Sequence, residues 1–109
     1  MRLAVKEDEG FRQFVEDQLS TMRGVVCKRM FGGHGLYAGE TFFGIIYRSQ
    51  LYFKTDETTR TAYLERGMKP FRPSAKQTLK TYYEVPAGIL EDGDQLVVWA
   101  QQAVRCRRR

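Results

Sequence analysis

The chain has 109 residues, 42% hydrophobic and 28% charged, with a formal net charge of +5 at pH 7. This size and composition fit one soluble globular domain with a real core, and exclude a disordered, fibrous or disulfide-stapled chain. No apolar run is long enough to span a bilayer, residues 1–10 lack an apolar signal stretch, and Cys27 and Cys106 form no disulfide framework; a reduced cytoplasmic setting and no membrane partner are expected.

In chain order, Asp8 to Met22 reads as an amphipathic helix. Phe11, Phe14 or Val15, Leu19 and Met22 recur at helical spacing, and Gly24 lies just past the end. The period then changes. Val25 to Phe31, Gly35 to Tyr37, Thr41 to Arg48 and Leu51 to Lys54 are rich in aromatic and β-branched residues, with short turns between them. Connections this short force antiparallel neighbours, so this is a meander. Asp56 is placed to cap a second helix running to Arg66, which Gly67 stops. Met68 to Thr78, with Pro70 and Pro73, reads as a surface loop, and Leu79 to Val85 as a strand ended by Pro86. Asp92 starts the last helix, with Gln95 at capping-box spacing. Leu96, Val97, Ala100, Ala103 and Val104 form its stripe, with Trp99 at the side. The expected fold is α+β, a single two-layer domain over residues 1–109 with helices on an antiparallel sheet.

The basic excess is mostly terminal. Arg105, Arg107, Arg108 and Arg109 supply four of the 18 basic residues, and no acid follows Asp94. The body is therefore close to neutral. The tail over residues 105–109 is a possible nucleic-acid contact, though a terminal charge run is more often a solvated end.

The stretch RMFGGHGLY, Arg29 to Tyr37, holds three of ten glycines and the only histidine. A phosphate loop would open onto a helix N-terminus, whereas these glycines lead into another strand, and no GK[ST] or GxGxxG occurs. One histidine and two distant cysteines fall short of a zinc ligand set, so no metal and no cofactor are expected. A Cys27–His34 nucleophile pair is conceivable, but Cys27 sits in a strand pattern, where cysteine usually acts as a small hydrophobe. His34 reads as a turn residue. Met30, Phe31, Gly32, Gly33 and Gly35 then read as a structural corner, where positive φ or a close backbone approach favours glycine.

Those residues also carry a family likeness. KRMFGGHGLY, the following Phe43-Gly44, LYFKTD at Leu51 to Asp56, YYEVP at Tyr82 to Pro86 and the LEDGDQLVVWAQQAV helix together resemble the TfoX N-terminal domain family. The likeness covers nearly the whole chain. It implies a compact α/β fold like that of YgaC and secretion-chaperone domains, with no catalytic residues and no cofactor. It further implies a link to regulators that promote expression of DNA-uptake (competence) genes together with the cyclic-AMP receptor protein. Those regulators carry a second, C-terminal domain, and this chain ends just after the part that corresponds to their first, so a stand-alone domain is the expectation.

If the corner is structural, function should lie on the sheet. Alternation places Leu51 and Phe53 on one face and Tyr52 and Lys54 on the other. It likewise sets Phe43, Ile45 and Tyr47 against Phe42 and Ile46. Tyr37, Tyr47, Tyr52, Lys54 and Tyr82 are the candidate partner surface, because tyrosine rings bury area at low entropy cost. The opposing reading is that these rings pack under helices or shield their neighbours. The expected function is a non-enzymatic interaction or regulatory module with a protein partner, whether transcription machinery or a second copy. The alternative is weak nucleic-acid binding by the arginine tail and sheet aromatics.

Overall fold

The computed structural model describes residues 2–30 and 32–106, with side chains from residue 9 onward. The elements are α1 (Arg2–Gln18), β1 (Val25–Met30), β2 (Gly33–Ala38), β3 (Thr41–Tyr47), β4 (Gln50–Lys54), α2 (Glu57–Glu65), β5 (Pro70–Ser74), β6 (Gln77–Glu84), α3 (Ala87–Leu90) and α4 (Gly93–Arg105). Six strands form one antiparallel sheet in the order β1-β2-β3-β4-β6-β5. This is the α+β architecture expected from the sequence, and the four-strand meander supplies four of its six strands. At the β3–β4 turn, Arg48 and Ser49 both take positive φ (51° and 62°), the geometry whose twist matches a two-residue hairpin.

The helices share one face of the sheet. Val15 of α1 and Leu19 just past its end, Tyr63 of α2, and Leu96, Ala100 and Ala103 of α4 enclose Leu36, Phe43, Ile46, Leu51 and Phe53. The stripe read from the last helix is the one that is buried, and its alanines let α4 lie close across β3 and β4. Phe43 and Phe53 are fully buried with ring centroids 5.8 Å apart. Burying each such side chain contributes about 2–3 kcal/mol.

The second helix starts where its capping residue says. Asp56 Oδ1 accepts a hydrogen bond from the Thr59 amide (2.9 Å), and Thr59 Oγ1 accepts one from the Asp56 amide (3.0 Å). The Thr59 amide bond holds the Asp56 carboxyl below its ordinary range. Its folded pKa is thus depressed, so this contribution is present above the unfolded carboxylate pKa and lost as pH falls through the folded value. Asp56→Ala should cost about 1 kcal/mol in urea unfolding at neutral pH. Asp56→Asn should lose less at neutral pH, and the wild-type advantage over it should shrink on acidification.

Four readings need correction. Met68 to Thr78 is not a surface loop but the hairpin of β5 and the start of β6. Pro70 and Pro73 fit because β5 is an edge strand, where a missing amide donor need not break a ladder. The first helix runs from Arg2 to Gln18, so it begins earlier than Asp8 and ends before Met22. His34 lies inside β2, opposite Arg29 and Ile46, and not in the turn.

The fourth correction concerns β3. Leu36 pairs with Gly44 while the next residue, Tyr37, pairs with Phe42, so Phe43 is an extra residue in a β-bulge. The bulge resets the alternation. Phe43 and Ile46 face the helices, whereas Phe42, Ile45 and Tyr47 face the other way. One strand thereby feeds two cores.

Candidate functional site

No helix covers the far face of the sheet among the described residues, and the aromatic residues gather there. Ile45, Tyr52 and Phe71 are buried at its centre, with Phe42, Tyr47, Leu79 and Tyr82 half-buried around them. The rings form two connected rows. Tyr37 lies 5.1 Å from Phe42 and Phe42 5.5 Å from Tyr82, while Phe71 lies 5.3 Å from Tyr47 and 4.7 Å from Tyr52.

The Tyr47–Phe71 contact shows how this face is shaped. In a flat sheet β3 and β5 would lie roughly 14 Å apart, three strand spacings. The ring contact therefore needs the β5–β6 hairpin to curl over the face. The pairing supplies the bend: Pro70 pairs with Tyr83 and Phe71 with Leu79, leaving residues 80–82 without counterparts on β5. The hairpin is a lid of its own sheet.

Polar groups rim this second core. Tyr52 donates its hydroxyl to Gln50 Oε1 (2.7 Å) and pairs across the ladder with Glu84. Burial pushes the Glu84 carboxyl up, and burial, with Glu84 and Tyr47 nearby, does the same to the Tyr52 phenol. The Lys28 ammonium sits 4.9 Å above the Tyr37 ring and the Arg48 guanidinium 5.2 Å from the Tyr47 ring. Both cations are exposed, so each such contact contributes about 0.5–1 kcal/mol.

The glycine corner supports the same face. Gly32 has φ +82°, the left-handed region that favours glycine. A Cβ on Gly33 would run into the Ile46 carbonyl oxygen of β3. Gly35 is covered by the Met30, Phe42 and Tyr37 side chains, which a Cβ there would meet at 2.5, 2.9 and 3.3 Å. Gly32 and Gly33 thus have backbone reasons to be glycine, whereas Gly35, inside β2, is crowded by side chains alone, that of Met30 among them. Phe31 lies outside the described residues.

At one end of the sheet is an open cleft of about 1130 Å³, between the β2–β3 turn, the end of β4, the start of α2 and the end of α4. It brings together Lys54, Tyr82 and Arg105 from the candidate residues, with Arg60 and the acids Glu40, Asp56 and Glu57. Buried Thr55 ties its floor, donating to the Thr81 carbonyl (2.9 Å) and accepting from Arg60 Nε (3.0 Å). Arg105 is exposed at the end of α4; Arg107, Arg108 and Arg109 lie outside the described residues.

The model of the TfoX N-terminal domain matches residues 17–107, from the end of α1 through the whole of α4. The chain belongs to the TfoX N-terminal domain family. No curated protein matches it.

In this TfoX N-terminal domain, the candidate tyrosines fall into two groups. Tyr47 and Tyr52 meet over Phe71, whereas Tyr37 and Tyr82 are joined through Phe42. Phe42 and Phe71, which join them, are not among the residues that the sequence singles out. A phenylalanine between two prolines was the available signal for Phe71, since a free surface loop has little use for it. Cys27 faces the helices opposite Leu36, two ladder positions from His34, and burial, with Glu16 nearby, pushes its thiol up to about 11. It is protonated at neutral pH and a poor nucleophile. Cys106 is buried and points its thiol at the Lys54 carbonyl (3.5 Å), and burial raises its pKa too. Among the described residues, no three His, Cys, Asp or Glu side chains are grouped to hold a metal, and no helix is long and apolar enough to cross a membrane.

Proposed function

We propose that this TfoX N-terminal domain is a cytoplasmic, non-enzymatic protein-interaction module that serves regulation, of the kind the family resemblance links to DNA-uptake genes. One observation carries the reading. Among the described residues one sheet face is left without helices and is finished instead with half-buried tyrosines under exposed cations: Lys28 on Tyr37, and Arg48 on Tyr47. Tyrosine and arginine presented on a rigid sheet are the residue types enriched at protein interfaces.

The test is affinity purification from the protein's own cells, comparing wild type with a Tyr47→Ser/Arg48→Ser double variant that keeps the buried Tyr52 and Phe71. RNA polymerase or a receptor-type activator, recovered with wild type and depleted at least fivefold with the variant, is the expected result. Recovery of no protein above background would overturn the proposal.

A further inference from the structure

The sheet has two edges, and they are finished differently. On β5, Pro70 and Pro73 remove amide donors, the usual way of blunting an edge. On the other side β1, VVCKRM, pairs with β2 alone among the described residues and contains no proline. A strand with one neighbour offers its remaining amide and carbonyl groups to another extended chain. Val26 is 45% exposed and, among the described residues, is the only exposed large hydrophobic on a strand; Phe14, Leu64 and Val98 are on helices. It lies directly opposite Tyr37 on the helix-free face.

The charge along this edge is one-sided. Arg23, Lys28 and Arg29 are exposed, and no Asp or Glu occurs between Asp17 and Glu40. Glu16 of α1, close enough to act on Cys27 of this strand, is already paired with Arg12 at 3.0 Å. Strand alternation sends Lys28 to the helix-free face with Val26, and Arg29 to the helix face with His34.

We propose that β1 takes up an extended, acidic segment of a protein partner by strand addition. The backbone ladder supplies affinity, and the side chains select the segment. A residue opposite Val26 is apolar and rests on Val26 and Tyr37. The residues opposite Lys28 and Arg29 are consecutive acids, one reaching each face. In antiparallel pairing the segment reads acid-acid-x-apolar. This deepens the interaction reading above and rests on it. The competing use of these charges is to keep edges of other chains away.

The experiment titrates isotope-labelled full-length protein with a synthetic peptide, Thr-Thr-Glu-Asp-Thr-Val-Thr-Thr, following backbone amide shifts. Parallel titrations use the same peptide with lysines for the acids, and a single-stranded oligonucleotide. Saturable shifts centred on Val25–Met30 with a Kd below about 1 mM are expected. Lys28→Glu/Arg29→Glu should weaken the acidic peptide at least about tenfold and favour the lysine peptide. Unshifted β1 amides, equal binding of both peptides, or tighter binding of the oligonucleotide at the same amides would each overturn the proposal. So would concentration-dependent dimerisation through β1 that excludes the peptide. If cellular partners are recovered but survive the charge reversal, the interaction module stands and the β1 assignment falls. If the peptide binds as expected but no cellular partner is recovered, the module reading fails instead.

Discussion

Replacing Phe71 by Ala is expected to remove about 3–5 kcal/mol of stability, the range for deleting a fully buried aromatic ring. That would be a large share of the 5–15 kcal/mol typical of a domain. Phe71 is 0% exposed although it stands on an edge strand, because the curled hairpin holds it against Tyr47, Tyr52 and Leu79. The damage should be local before it is global. In hydrogen exchange the amides of β5 and the start of β6 should lose protection first, while those of α4, packed on the opposite face, keep theirs. Phe71→Leu should cost clearly less, about 1–2 kcal/mol, since it leaves a smaller void. A cost under about 1 kcal/mol for the alanine variant would mean that the helix-free face is a surface and not a second core.

The second large effect is expected at Gly33. An added Cβ would meet the Ile46 carbonyl oxygen, which belongs to the backbone of a central strand and cannot swing aside. The β2–β3 pair must shift, and overpacking of this kind costs about 1–3 kcal/mol. Gly33→Val should be worse than Gly33→Ala. Gly32→Ala should also destabilise, by about 1–2 kcal/mol, but through its left-handed φ and not through a collision. Gly10→Ala is the internal control. That glycine sits in α1 with nothing within 4 Å of a new Cβ, so the change should stabilise by about 0.5–1 kcal/mol. Urea midpoints of the four variants rank the mechanisms; if Gly33→Ala matched Gly10→Ala, the close approach would not exist.

Much of this molecule is legible in its residues where local chemistry decides the outcome. Asp56 and Asp92 both cap the helices they introduce, the latter accepting from the Gln95 amide at 3.2 Å. The stripe of α4 and the short turns of the meander follow from periodicity and turn length alone. Two of the four corrected parts share a reason. The β3 bulge adds one residue without a breaking signal, so simple alternation puts Ile45 on the wrong side relative to Phe43. The β5 strand carries two prolines and becomes a strand only because β6 bends to receive it. Both depend on partners distant along the chain. The candidate site suffered in proportion: its tyrosines could be named, but Phe71, which joins Tyr47 to Tyr52, and Phe42, which joins Tyr37 to Tyr82, could not.

The strand order has a consequence for how the protein is made. β2, β3 and β4 each pair with the strand synthesised just before, so the meander can close as it leaves the ribosome. β4 then waits. Its permanent neighbour on the other side is β6, and the bond from the Thr55 amide to the Thr81 carbonyl bridges 26 positions of chain. Until residues 77–84 emerge, Leu51, Tyr52 and Phe53 form an unpaired edge that is apolar on both sides. A ribosome stalled in that interval displays a short, sticky strand, so the nascent chain is most vulnerable to aggregation between the completion of β4 and the arrival of β6.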